Sequence, residues 1–381
     1  MGAKVIRVDG DFDPKILSEA VELLKNDQVV AIPTETVYGL AANALKPAAI
    51  KHIFQAKSRP SDNPLIVHIS SLSMLYPLIK RPQNFDLFET LMSAFWPGPL
   101  TFLFSKSSLI PEEVTGGLST VCIRFPENTI ARAIIDQCGF PLAAPSANIS
   151  GRPSPTEASH VLEDLKERIP LIVDGGPCSK GVESTVINLL SDPPMILRSG
   201  SITLEMLRKF VPNVQIYQPE KGNELDPISN AALASLHTKG SLSPGMKYRH
   251  YSPKANLFLL ESTCFDDDQT LDLISKLERF CEERNIRGSI LLNTPICKNI
   301  DGNSDPHLII DSFSSSSYQT IARELFAKLR KLDSLDVKFI LMFSITNDNE
   351  GSAVMNRVLK ASHSVLTSTE QVTCSFQKLF I

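Results

Sequence analysis

Short apolar runs alternate with segments of helical periodicity along most of the chain, which restricts it to folds in which helices cover a sheet. QVVAI (28–32), PLIVHIS (64–70), LTFLFS (100–105), TVCIRF (120–125), PLAA (141–144), PLIVD (170–174), STVINLL (184–190) and PMILR (194–198) read as strands. Asp13 and Pro14 open a helix whose apolar face is Ile16, Leu17, Ala20, Leu23 and Leu24. Pro47 begins a second helix, with Ile50, Ile53 and Phe54 on its inner face. Leu87, Phe88, Leu91, Met92 and Phe95 stripe a third, which Trp96-Pro97-Gly98-Pro99 stops. Further helices are expected near 129–138 and 157–167, completing a mixed α/β domain over residues 1–210.

A chain of 381 residues exceeds a typical single domain, and its pattern breaks once. Residues 211–254 hold Pro212, Pro219, Pro227, Pro244 and Pro253 with little periodicity, and read as a linker or lid. The pattern restarts over 255–381. ANLFLL (255–260), GSILLN (288–293) and VKFILMF (337–343) are continuous apolar runs separated by helix-length segments, as parallel strands covered on both faces are. A smaller doubly wound sheet is expected there.

The seven cysteines are scattered and never spaced C-x-x-C, so neither a disulfide framework nor a zinc knuckle is expected. No apolar run is long enough to cross a bilayer, and the charged start has no apolar h-region. The expectation is a cytoplasmic protein with no membrane association. A net charge of −4 gives no global attraction to nucleic acid, so any anion site must be a local gathering of Lys and Arg.

Six segments could carry such chemistry. PTETVYGLAANA (33–44) follows a strand end, where α/β sheets place ligands, and Thr34, Glu35, Thr36 and Tyr38 crowd polar groups there. KSRPSDNPLIVHIS (57–70) brings Lys57, Arg59 and Asn63 together, with His68 inside an apolar strand. Arg124 interrupts the strand TVCIRF, so an internal carboxylate or a ligand anion should face it. APSANISGRPSPT (144–156) packs Ser146, Asn148, Ser150 and Ser154 into a proline-stiffened loop able to cradle phosphate. DGGPCSKGVESTVINL (174–189) puts Ser184 at a strand mouth, and ILRSGSIT (196–203) ends a strand with Arg198. Each alone also reads as a polar turn, a satisfied strand histidine or a solvated cation pair. The sequence has no G-x-x-x-x-G-K-[ST] or G-x-G-x-x-G nucleotide motif, no Ser-His-Asp arrangement and no metal-ligand spacing.

KSR (57–59), PLIVHI (64–69), WPGPLT (96–101), RFP (124–126), PSANISGRPSPT (145–156), ESTVI (183–187) and LRSG (197–200) together resemble the YrdC-like threonylcarbamoyl-AMP synthases. SPGMKYRHYSPKA (243–255) and the segment after it resemble the long, two-domain form of that family. GSAVMNRVLKA (351–361) approximates a family G-x-A-x-x-N-R pattern, with Asn349 where a glycine usually precedes it.

The resemblance implies a YrdC-type α/β fold, a twisted mixed sheet around a basic concave cavity, followed by a Rossmann-like domain. It implies ATP held by Arg59, Asn63, Thr120, Ser146, Asn148, Ser154 and Arg198, with Lys57 adding charge near the phosphates and Tyr248 and His250 closing over the nucleotide. Thr36, His68, Arg124, Ser184 and the backbone at Ala144 are implied to hold threonine. The implied reaction is nucleotidyl transfer from ATP to threonine and bicarbonate, with Mg2+ accompanying ATP and no dedicated protein nucleophile. Lys57 and Arg59 would stabilise charge. The implied consumer of the product is a downstream tRNA threonylcarbamoyl transferase, with a weak tRNA contact by this chain. An RNA-binding module using the same basic cavity is the rival reading. The hydrogenase-maturation relatives carry an acylphosphatase segment and cysteine-rich zinc motifs that this sequence lacks.

Overall fold

A computed structural model describes residues 2–217, 250–261, 267–293 and 306–379. These residues form two compact units, the first comprising 2–150 and 154–217, the second 151–153 and the residues from 250 onward.

The strands of the first unit are β1 (Lys4–Arg7), β2 (Val30–Ile32), β3 (Gly39–Asn43), β4 (Ile66–His68), β5 (Leu100–Ser105), β6 (Thr120–Arg124), β7 (Leu142–Ala143), β8 (Leu171–Asp174), β9 (Thr185–Asn188), β10 (Met195–Arg198) and β11 (Gln215–Ile216). They join in one eleven-stranded sheet of order β1-β8-β2-β3-β7-β4-β6-β5-β9-β10-β11. The pairing is mixed: β4 runs parallel to β6 and β5 to β9, whereas β5 and β6 are antiparallel. β11 pairs with β10 inside the segment read as linker, and the rest of that segment's middle, Tyr248 included, lies outside the described residues.

Helix boundaries follow the sequence signals. The Asp13 carboxylate accepts from Lys15 N and caps the turn Pro14–Leu17, after which the helix Ser18–Lys25 runs on. The helix Pro47–Lys57 starts on its proline and ends where Ser58 turns left-handed at φ 52°. The helix Phe85–Phe95 stops at the Trp96-Pro97 step.

Strand alternation decides which face becomes the site. Val67, Ile123 and Phe102 point into the main core with Phe88, Phe104 and Ile187. Their neighbours Ile66, Cys122 and Leu103 face the other way and meet Val186 and Leu197 in a small apolar cluster. Next along that second face comes one polar row, His68, Arg124 and Thr101, in direct cross-strand register over β4, β6 and β5.

In the second unit β12 (Asn256–Leu260), β13 (Gly288–Leu292), β14 (Leu308–Ser312), β15 (Phe339–Phe343) and β16 (Ser364–Leu366) form a sheet of order β14-β13-β15-β12-β16, parallel throughout. Phe339, Leu341 and Phe343 pack with Leu273, Leu277 and Phe376. The alternate residues Ile340 and Met342 are fully buried as well, as a sheet covered on both faces requires. Asn349 sits at φ 44°, a left-handed conformation that asparagine tolerates, which explains how it stands where the family pattern has glycine. Gly351 is less replaceable, because an added Cβ would fall 2.3 Å from Thr346 O. No helix among the described residues is long and apolar enough to cross a membrane.

Candidate active site

The polar row is built around a buried ion pair. Arg124 Nη2 lies 2.6 Å from Glu35 Oε1, with both side chains 4% exposed. Arg124 Nη1 donates to Thr36 Oγ1 at 2.7 Å and Nε to Gly98 O at 3.3 Å. Thr36 Oγ1 lies 2.9 Å from Thr34 Oγ1, whose hydroxyl donates to Val37 O. Of the two partners foreseen for Arg124, the protein thus supplies the internal carboxylate. Burial alone would raise the Glu35 carboxyl, but the Arg124 charge and hydrogen bond, with backbone donors at Glu35 and Glu127, outweigh it and hold the group below its usual range.

His68 sits beside this pair with its Nδ1 3.2 Å from Ile66 O. Complete burial, and then the Arg124 charge, push its imidazole down to about 3 against the opposing pull of Glu35, so the ring is neutral. A charged imidazole next to a guanidinium would add a second cation to a desolvated place.

A second centre lies at the mouth of β9. Thr101 Oγ1 and Ser184 Oγ are 2.8 Å apart. Arg198 donates to Ser184 O through Nε at 3.1 Å and Nη2 at 2.9 Å, and to Ser184 Oγ at 3.1 Å. Gly200 is demanded by packing, since a Cβ there would lie 2.4 Å from Thr185 N and 2.5 Å from Glu183 O. Because Thr101 is the register partner of Arg124, the two centres are adjacent on one face.

The third group comes from the loop 144–156 and the turn after the helix Pro47–Lys57. Lys57, only 1% exposed, places its ammonium on Ser146 O and, at 2.5 Å, on Asn148 O. Lys57, expected to add charge near the phosphates, has these loop carbonyls among its partners, because a buried ammonium needs acceptors. Gly39 and Ser146 form a β-bridge, and Leu40 N and Ala147 N bond to Pro145 O and Tyr38 O. Ala144 N donates to Ile66 O, fixing the backbone at Ala144 beside β4. Ser154 Oγ donates to Glu183 Oε1 at 2.5 Å, which brings the far end of the loop to the residue before Ser184. Arg59 donates to Asn63 O at 3.3 Å and Pro64 O at 3.0 Å. Asn63 Oδ1 and Thr120 Oγ1 are buried with no hydrogen-bond partner.

Of the sequence-predicted residues, the hydrogen bonds and strand register link Thr36, His68, Arg124, Ser184 and Arg198 in one network, and Lys57, Ser146, Asn148 and Ala144 in the loop against it. Arg59, Asn63 and Thr120 flank β4 and β6. His250 belongs to the second unit, its ring 5.6 Å from that of Tyr251. Sequence reading assigned no role to Glu35, Thr34, Thr101 or Glu183. Glu35 was legible through the partner Arg124 required; Thr101 carried no signal beyond its place in WPGPLT.

Mixed sheet, parallel second unit and this buried face of guanidinium and hydroxyl groups define the class of protein. Residues 22–200 match the family model described as "Telomere recombination", and residues 202–363 that described as "Threonylcarbamoyl-AMP synthase, C-terminal domain". The threonylcarbamoyl-AMP synthase of Pyrococcus abyssi is 40% identical over 345 residues, covering 90% of this chain and 93% of that protein. That of Bacillus subtilis is 40% identical over 352 residues, 92% of this chain and 93% of its own. The crystal structure of P. abyssi Sua5 complexed with L-threonine superposes with a TM-score of 0.83 at 37% identity, covering 96% of this chain and all (100%) of that one. The chain belongs to the threonylcarbamoyl-AMP synthase family.

Proposed function

We propose that this face holds ATP and L-threonine side by side and joins them through a carbamate, making L-threonylcarbamoyladenylate and pyrophosphate. Threonine's amine adds to bicarbonate, with loss of water, or to CO2, giving N-carboxythreonine. A carbamate oxygen attacks the α-phosphorus of ATP, and the bond to pyrophosphate breaks. Such a reaction needs positioning and charge neutralisation rather than a protein nucleophile.

The observation that carries this reading is that Asn63 Oδ1 and Thr120 Oγ1 are buried without a hydrogen-bond partner, while Arg59 donates to the Asn63 carbonyl. Native interiors pair such atoms, so two left unpaired favour a polar ligand. ATP is assigned to Arg59, Asn63, Thr120, Ser146, Asn148, Ser154 and Arg198, with Lys57 adding charge near its phosphates. Threonine is assigned to Thr36, His68, Arg124, Ser184 and the backbone at Ala144. A guanidinium has five N–H groups, so Arg124 can keep Glu35, Thr36 and Gly98 and still donate to a carboxylate. A hydroxyl-lined site rejects an amino acid lacking the hydroxyl, because its polar groups are left unpaired.

Magnesium would enter with ATP and neutralise phosphate charge. Phosphate oxygens and water would supply most of its ligands, with few from the protein. We place the protein in the cytoplasm, where free thiols such as Cys122, Cys138, Cys178, Cys281 and Cys374 persist. A downstream tRNA threonylcarbamoyl transferase consumes the adenylate, and the net charge of −4 favours no more than weak contact with tRNA itself.

Mass spectrometry of the products formed from ATP, threonine and bicarbonate tests the proposal. The adenylate and pyrophosphate are expected without RNA. Pyrophosphate release that is indifferent to threonine, or that needs RNA, sinks it.

A further inference from the structure

The backbone gives Gly151, Arg152 and Pro153 to the second unit and rejoins the first at Ser154. All three residues are gripped there. Gly151 O accepts from Ser252 N at 2.8 Å, Arg152 pairs with Asp333 at 3.9 Å, and Pro153 O accepts from Arg330 Nη2 at 2.5 Å.

The gripping groups are themselves fixed. Arg330 and Asp333 stand about one turn apart on the helix Tyr318–Ser334. Asp333 Oδ1 also accepts from Ala255 N at 3.0 Å. Ser252 follows Tyr251, which is held at φ 67° with its ring stacked on Phe326 at 5.4 Å and the Arg357 guanidinium 5.7 Å from its centroid. A left-handed tyrosine persists only where its surroundings determine it. Arg330 is 4% exposed, and a guanidinium desolvated that far is retained for the bonds it makes.

The segments flanking the gripped tripeptide carry Ser146, Asn148 and Ser154, three of the groups assigned to ATP. Ser150 N bonds to Lys57 O, Lys57 reaches Asn148, and Ser154 Oγ bonds to Glu183. We infer that Arg330 is a positioning residue for ATP, acting through Pro153 on Ser154, and that holding this loop is what the second unit contributes to the reaction. The inference rests on the reading that the 146–154 loop contacts the nucleotide. The chemistry predicts a selective effect, because the described bonds of the grip, to Gly151, Arg152 and Pro153, lead to Ser154 rather than to a group assigned to threonine.

The test uses the full chain, with R330M, R330K, D333N and S154A compared for steady-state kinetics and for hydrogen exchange over residues 150–156. R330M is expected to raise the KM for ATP about tenfold or more and to speed exchange in that segment. Its KM for threonine should stay within about twofold, and R330K should recover most of the loss. If R330M fails to fold, D333N carries the same expectation in weaker form. An ATP KM that R330M, or D333N in its place, leaves unchanged overturns the inference, as does a parallel rise in both KM values. An unchanged ATP KM in S154A overturns the nucleotide reading and this inference with it. S154A raising the ATP KM while the Arg330 and Asp333 variants do not overturns this inference alone.

Discussion

Glu35 and Arg124 form a 2.6 Å ion pair whose two side chains are each 4% exposed, at the junction of the strand-end turn and the polar row. Removing one partner from such a pair leaves a buried charge uncompensated, at a cost of about 3–5 kcal/mol. Glu35→Gln should therefore lower unfolding stability by that order and raise the threonine requirement. The double variant E35Q/R124M should regain stability in chemical denaturation without regaining threonine use. Equal stability of wild type and E35Q would show the pair to be energetically idle.

His68 gives the fold a signature in its pH dependence. Its folded imidazole is pushed from the ordinary 6.5 to about 3, so below pH 6.5 the unfolded chain binds a proton that the folded one does not. Stability must then fall as pH falls from 6.5 toward 3, by up to about 1.4 kcal/mol per pH unit. The lowered Glu35 carboxyl acts in the same direction, but only from near its ordinary 4.5 downward. Between pH 6.5 and 5 the slope belongs to histidines, and H68Q should flatten it in denaturation measurements across that interval. A slope unchanged in H68Q refutes the buried neutral ring.

Much of this candidate site is legible in the sequence, because polar residues are conspicuous inside apolar strands. Arg124 and His68 stand inside apolar strands, and an isolated charge there demands a partner. Strand β3 was not legible: GLAAN has no β-branched or aromatic residue, and only its pairing between β2 and β7 makes it a strand. Nor was the passage of Gly151–Pro153 into the second unit, since a tripeptide carries no periodicity. The sequence shows the charge of Lys57 but not that it reaches the carbonyls of Ser146 and Asn148.

Ser184 accepts from Arg198 and shares a hydrogen bond with Thr101. Ser184→Ala keeps the backbone oxygen that holds Arg198 but strips the hydroxyl, leaving neighbouring groups unpaired at roughly 1–3 kcal/mol. That corresponds to a threonine KM raised about 5- to 150-fold, with the ATP KM changed far less. Titrating each substrate at saturating levels of the other reads this directly, and equal rises in both would remove Ser184 from the threonine set.

Gly200 permits the backbone at 183–185 to approach, and an added Cβ would meet Thr185 N, Glu183 O and Ser184 C at 2.4, 2.5 and 2.6 Å. Backbone atoms cannot swing aside as a side-chain end can. Gly200→Ala should displace Ser184 and disturb the Ser154–Glu183 bond together, so soluble G200A should lose activity with both substrates weakened. Wild-type kinetics in G200A would mean that this approach is not needed for the site.

Thr120 separates a functional role from a structural one by the sign of two effects. Its Oγ1 is buried without a partner, so the hydroxyl costs the free protein stability rather than supplying it. Thr120→Val keeps the shape and removes that atom. If the hydroxyl serves ATP, T120V should be as stable as wild type or more so, by up to about 1–3 kcal/mol, while its KM for ATP rises. A residue of purely structural importance would lose stability and activity together, and one of no importance would change neither. Thermal unfolding without nucleotide, paired with ATP titration at saturating threonine, distinguishes the three cases, and a T120V protein with an unaltered ATP KM removes Thr120 from the nucleotide site.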